Sequence, residues 1–145
     1  MLAGETVKAW ADDPDTFLTP PSQKKTREVG PVSIRMLAAA RRVGVRIAFG
    51  TDTGVSRHGD NAREFPLMVQ AGFTPMDAIV TATVNGAGNL GQSASLGMLE
   101  AGKFVDVIAV RQSPLDDIDA ILGVVFVMKG GEIFRNEQAR FTKQE

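Results

Sequence analysis

The chain is 145 residues long and sets 16 Lys and Arg against 17 Asp and Glu, so no global field favours nucleic acid or a membrane surface as a partner. It contains no cysteine, which excludes disulfides, thiolate metal sites and a cysteine nucleophile. No apolar run approaches the roughly 18 residues of a membrane span, and Met1–Glu5 lacks the basic and apolar regions of a leader, so a soluble cytoplasmic protein is expected.

Residues 1–30 carry little hydrophobic periodicity. Asp12-Asp13-Pro14-Asp15, Thr19-Pro20-Pro21-Ser22 and the polar run to Glu28 predict an irregular surface segment with one short helix around Glu5–Trp10. Trp10 is read as a packing anchor. Residues 31–96 then alternate helix, strand, helix and helix. Pro31 suits a first helical turn, Ile34, Leu37 and Ala38 follow at helical spacing, and Gly44 ends the helix. The apolar, β-branched run Val43–Phe49 predicts a short buried strand, with Asp52 in the glycine-flanked turn Gly50-Thr51-Asp52-Thr53-Gly54 at its end. Strand ends are where α/β folds place their chemistry, because the loops there converge on one mouth. Asp52 is accordingly a candidate metal ligand or general base; the alternative is an aspartate capping its own turn.

The loop Val55–Asp60 leads to Asn61, which can cap the next helix with Glu64 as its reciprocal partner. Phe65, Met68 and Val69 give that helix a buried face, while Pro66 demands a kink or a late start. Gly72 closes it. Thr74-Pro75-x-Asp77 opens another helix with an N-cap, a first-position proline and an acid at the positive end of the dipole; Ala78, Ile79, Ala82 and Thr83 form its inner stripe. Residues 97–136 change period. A turn-rich link, Gly97–Lys103, precedes a strand over Phe104–Val110, and Pro114–Leu122 is helical in pattern. Val124–Met128 and Glu132–Phe134 read as two strands joined by Lys129-Gly130-Gly131. Residues 137–145 form a polar tail expected to fray.

Gly50-Thr51-Asp52 followed by His58-Gly59-x-Asn61-Ala62-x-Glu64 resembles the last barrel strand and following loop of the metal-dependent amidohydrolases. Met68-Val69-x-Ala71-Gly72-x-Thr74-Pro75-Met76-x-Ala78, Ala82-Thr83-x-Asn85 and Gly97-x-Leu99-Glu100-x-Gly102-Lys103-x-x-Asp106 continue the match in order. The branch it most resembles contains imidazolonepropionase-like and Xaa-Pro dipeptidase-like enzymes. Gly86, Gly88, Pro66 and Val105 depart from the family pattern without touching its chemistry. The implied fold class is α/β: the closing portion of a (β/α)8 barrel plus C-terminal strands of a small β-sandwich domain. A complete barrel takes ~250 residues, so the expectation is a chain whose partner is the missing N-terminal barrel portion, with exposed barrel edges inviting oligomers.

The resemblance implies hydrolysis of a C–N bond, in a dipeptide or N-acyl amino acid, assisted by a divalent metal such as zinc. It makes Asp52 metal ligand and general base. Arg57, His58, Asn61 and Arg63 become donors for the substrate's carboxylate; the alternatives are a loop-structuring role for His58 and a plain exposed charge at Arg57 and Arg63. The family's metals are held chiefly by histidines on earlier strands, whereas His58 is the only histidine here, so this chain alone is not expected to hold the metal or to be active. Two alternatives stay open: a cyclic amide such as an imidazolone as substrate, or a non-catalytic module acting only in assembly. A phosphate loop and a serine–histidine triad are not indicated, since Gly54 is not followed by Lys-Ser/Thr and no nucleophile elbow occurs.

Overall fold

Two helices open the computed structural model, which describes residues 1–137. The first, α1 (Leu2–Asp12), packs along α2 (Pro20–Arg42). The irregular segment expected over residues 1–30 is therefore mostly helical, and α2 starts at Pro20 rather than Pro31. Pro20 and Pro21 occupy the first turn, where a missing N–H is harmless, and Gln23, Lys24, Lys25, Arg27 and Glu28 are good helix formers. Pro31 lies inside the helix and removes one main-chain bond. No residue of α2 is fully buried, so no apolar stripe announces its first half. Arg27 fastens the end of α1, donating from Nε to Asp12 Oδ1 at 2.8 Å and from Nη2 to the Ala11 carbonyl. Trp10 rests against Phe17, ring centroids 5.5 Å apart.

The core gathers Phe65 and Met68 of α3 (Glu64–Gln70), Ala71, Phe73, Ala78 of α4 (Pro75–Ala82), and Ile118 and Ile121 of a 3-10 turn, Ile118–Leu122. Ile34, Leu37 and Ala38 of α2 pack onto this cluster, as their spacing predicts. The helical pattern expected over Pro114–Leu122 is realised only as that 3-10 turn. A 3-10 turn over Asp60–Arg63 precedes α3, which starts late enough to leave Pro66 in its first turn. Asn61 does not cap it: Gly59, at φ 96°, precedes the 3-10 turn, and neither element has a side-chain cap. Thr74 and Asp77 form a reciprocal cap at the start of α4. Arg41 reaches Asp77 at 3.1 Å while lying over the Phe73 ring. The Thr74 hydrogen bonds, and after them Arg41, hold the Asp77 carboxyl below its ordinary value. A short α5 (Val84–Asn89) follows.

Three strands, β1 (Val107–Val110), β2 (Val124–Lys129) and β3 (Glu132–Asn136), form an antiparallel sheet in that order. Gly130 and Gly131 turn the β2–β3 hairpin at φ 56° and 85°, the backbone a two-residue hairpin requires. Asp106 Oδ1 accepts from Gly130 N–H at 2.8 Å, tying β1's approach to the hairpin tip. The run Val43–Phe49 is not a buried strand: no described residue pairs with it, and Val43 and Val45 are 78% and 53% exposed. A strand exists through its ladder, and here only helices flank the run. Beyond residue 137 the expected tail lies outside the described residues. Among the described residues no helix is long and apolar enough to cross a membrane.

Candidate active site

The run leading to Asp52 is fixed from the helical side. Phe49 N–H donates to the Thr81 carbonyl at 3.0 Å, and Asn85 Nδ2 donates to the Ile47 carbonyl at 2.8 Å. The Phe49 and Phe65 rings meet at 4.6 Å between centroids, 31° apart in plane. Backbone groups that would pair with neighbouring strands are thus partly satisfied by two helix-borne groups. Asp52 follows at φ 51°, the only non-glycine residue with a left-handed backbone among those described. Its carboxylate is exposed and makes no hydrogen bond or ion pair within the described residues, so it does not cap its own turn. An unengaged carboxylate on a constrained turn is free to serve as ligand or base.

Around it, the Thr51 and Thr53 hydroxyls lie 2.6 Å apart, and Thr53 donates to Asn61 Oδ1 at 2.9 Å. These bonds draw the start of the 3-10 turn toward the Asp52 turn. Asn61 therefore commits its carbonyl to shaping the loop, leaving its amide donors. Arg57, His58 and Arg63 are exposed, with Arg63 only 4.0 Å from Asp60. The structure brings Asn61 to the residues flanking Asp52, and it leaves the other three on the solvent side of the loop. The Ser56 hydroxyl is enclosed there without a partner among the described residues. Sequence reasoning passed over Thr53, Thr81 and Asn85, which fix the turn; Asn85 belongs to a matched motif, but nothing in the motif names its contact. Among the described residues, no three His, Cys, Asp or Glu side chains gather to hold a metal ion. Asp52 fits one oxygen ligand, and only one.

Residues 19–134 match the sequence model of the Amidohydrolase family. The chain belongs to this family. An ochratoxinase from Aspergillus niger is 36% identical over 119 residues, covering 79% of this chain and 24% of that protein. The crystal structure of a Xaa-Pro dipeptidase with methionine bound in its active site superposes with a TM-score of 0.87 at 39% identity, covering 92% of this chain and 33% of that one. The crystal structure of the A. niger ochratoxinase gives a TM-score of 0.75 at 30% identity over 94% of this chain and 32% of its own. This amidohydrolase chain thus spans about a quarter of the curated relative's length and about a third of each solved structure. Its fold is a part of the barrel architecture of these neighbours, with the three-stranded sheet beside it.

Proposed function

We propose that the protein contributes the Asp52 turn to a metal-dependent site that hydrolyses a C–N bond, in a dipeptide or an N-acyl amino acid. The observation that carries this is the unengaged Asp52 carboxylate on its left-handed turn, in a chain 39% identical to a Xaa-Pro dipeptidase over nearly all its length. A divalent ion bound there, with zinc as the first candidate, would lower the pKa of a coordinated water and polarise the scissile carbonyl. Asp52 then has two tasks within reach of one carboxylate. Asp52 would be one ligand holding the ion, and its carboxylate could take the proton of the attacking water and pass it to the departing nitrogen. The remaining ligands must come from outside the described residues, since Asp52 stands alone here. Arg57, His58 and Arg63 present charged or polar donors along the loop, and Asn61 retains its amide donors, so a substrate carboxylate would find bidentate partners there.

The test is a chimaera in which residues 19–134 replace the matching portion of the Xaa-Pro dipeptidase. Asp52→Asn in that protein should cut turnover on the order of 10²–10⁴-fold, the usual cost of removing a general base, with bound metal measured separately. Retained turnover with metal in place would overturn the assignment. Xaa-Pro substrates and N-acyl amino acids should lose about tenfold in kcat/KM on C-terminal amidation, equivalent to ~1.4 kcal/mol. Equal activity on acids and amides would instead favour a substrate without a carboxylate, such as a cyclic amide. A second reading, a non-catalytic module serving in assembly, is supported by the absence of a gathered ligand set among the described residues. It predicts a chimaera that folds but fails to turn over.

A further inference from the structure

Two main-chain groups in the run leading to Asp52, the Ile47 carbonyl and the Phe49 N–H, are met by the junction of α4 and α5 rather than by a strand. The junction can do this because Thr83, at φ −113° and ψ −86°, breaks the path between the two helices. Carbonyls in the last turn of a helix lack intrahelical donors, and the Thr81 carbonyl takes the Phe49 N–H at 3.0 Å. Further along, half-buried Asn85 donates from Nδ2 to the Ile47 carbonyl at 2.8 Å. That contact requires one orientation of the amide, since a carbonyl only accepts. Arg46 selects this orientation: its Nε, which only donates, faces Asn85 Oδ1 at 3.4 Å. Reversed, the amide would set its oxygen against the Ile47 carbonyl and its NH₂ against the guanidinium. Gly88 leaves Arg46 room to lie over α5, because a Cβ there would stand 3.3 Å from Arg46 Nη2.

We propose that Asn85 is a positioning residue for the Asp52 turn, with Arg46 as the group that orients its amide. The inference rests on reading Asp52 as the reacting residue, but its test reads geometry rather than turnover, so the two can fail separately. Hydrogen exchange and backbone NMR shifts of the purified chain supply the measurement. The Phe49 amide reports the entry to the turn, the Asp52 shifts report the turn itself, and the ladder amides of β2 report the rest of the molecule. Asn85→Asp keeps the shape and the acceptor for Arg46 but puts an oxygen against the Ile47 carbonyl. Asn85→Ala removes both contacts. In both variants Phe49 exchange should rise about tenfold or more, equivalent to ~1.4 kcal/mol. The Asp52 shifts should move with it, while β2 amides keep their wild-type rates. Arg46 is exposed, so Arg46→Met, which keeps the stem and removes the donors, tests the orienting step even should an Asn85 variant not fold. It should raise Phe49 exchange about threefold, the modest worth of a long hydrogen bond, and add nothing in Asn85→Ala, where no amide is left to orient. Phe49 exchange at the wild-type rate in the Asn85 variants, a rise only in step with β2, or unmoved Asp52 shifts overturns the proposal. Wild-type exchange in Arg46→Met, or an equal rise in both backgrounds, overturns the part given to Arg46.

Discussion

Asp52 sits at φ 51°, where an L side chain is strained by ~1–2 kcal/mol, aspartate less than most because its short polar chain tolerates the left-handed region. Glycine carries no such strain. Asp52→Gly is therefore expected to be more stable than Asp52→Ala, by about 1 kcal/mol in chemical denaturation. Equal stabilities would mean that the turn relaxes to another backbone when the carboxylate is gone. The same scale shows what the sequence could not reveal. Asn61 and Glu64 have the right spacing for a reciprocal cap, but tertiary partners take both: Thr53 engages Asn61, and the start of α1 engages Glu64. Spacing alone cannot weigh a local bond against a distant donor.

Elements whose signals were local were legible. The Thr74 N-cap of α4 and the Gly130–Gly131 hairpin depend on neighbours a few residues away and form as read, with Asp77 adding a reciprocal bond that the dipole argument did not include. α2 was misread because its polar first half has no buried stripe, and the run at 43–49 because an apolar, β-branched composition does not say whether a ladder partner is present. Three residues of the matched run Gly97–Asp106 have structural roles. Lys103 Nζ donates to the Ser93 carbonyl at 2.6 Å, Asp106 holds the hairpin, and Gly97 approaches α5 closely. At Gly97, φ is 93° and an added Cβ would lie 2.9 Å from Ala87 Cβ and 3.0 Å from the Thr83 carbonyl. Gly97→Ala should thus destabilise by about 2–4 kcal/mol, combining left-handed strain with overpacking, as read from a denaturant midpoint. An unchanged midpoint would show that this approach is not close in solution. At the α4 cap, the folded Asp77 pKa lies below its ordinary value of 3.8. Its contribution is therefore present above the ordinary carboxylate range and lost as pH falls through the lowered folded value. Because Asp77 is largely exposed, the effect is small. Asp77→Asn should flatten the acid limb of stability against pH while changing the neutral plateau only slightly. An acid limb identical to wild type would assign that limb to other carboxylates.

At the scale of the whole molecule, the unsatisfied surfaces are the informative ones. Val43, Leu99, Phe104 and Phe134 are 78%, 81%, 63% and 65% exposed, and the run at 43–49 offers main-chain groups without a ladder. Surfaces of this kind associate, as unpaired strand edges and apolar patches do generally. Size-exclusion chromatography with light scattering is expected to find the 15.5 kDa chain in assemblies larger than one copy. A well-behaved monomer across a broad concentration range would count against exposed barrel edges. The helical pair at the start of the chain raises a separate question of cooperativity. Trp10, on α1, is the single tryptophan, and the chain has no tyrosine. Intrinsic emission is thus a private reporter on the α1–α2 pair, whereas circular dichroism averages over every helix. Overlaying the two melting curves tells directly whether the pair comes apart with the core or ahead of it, without a label or a substitution.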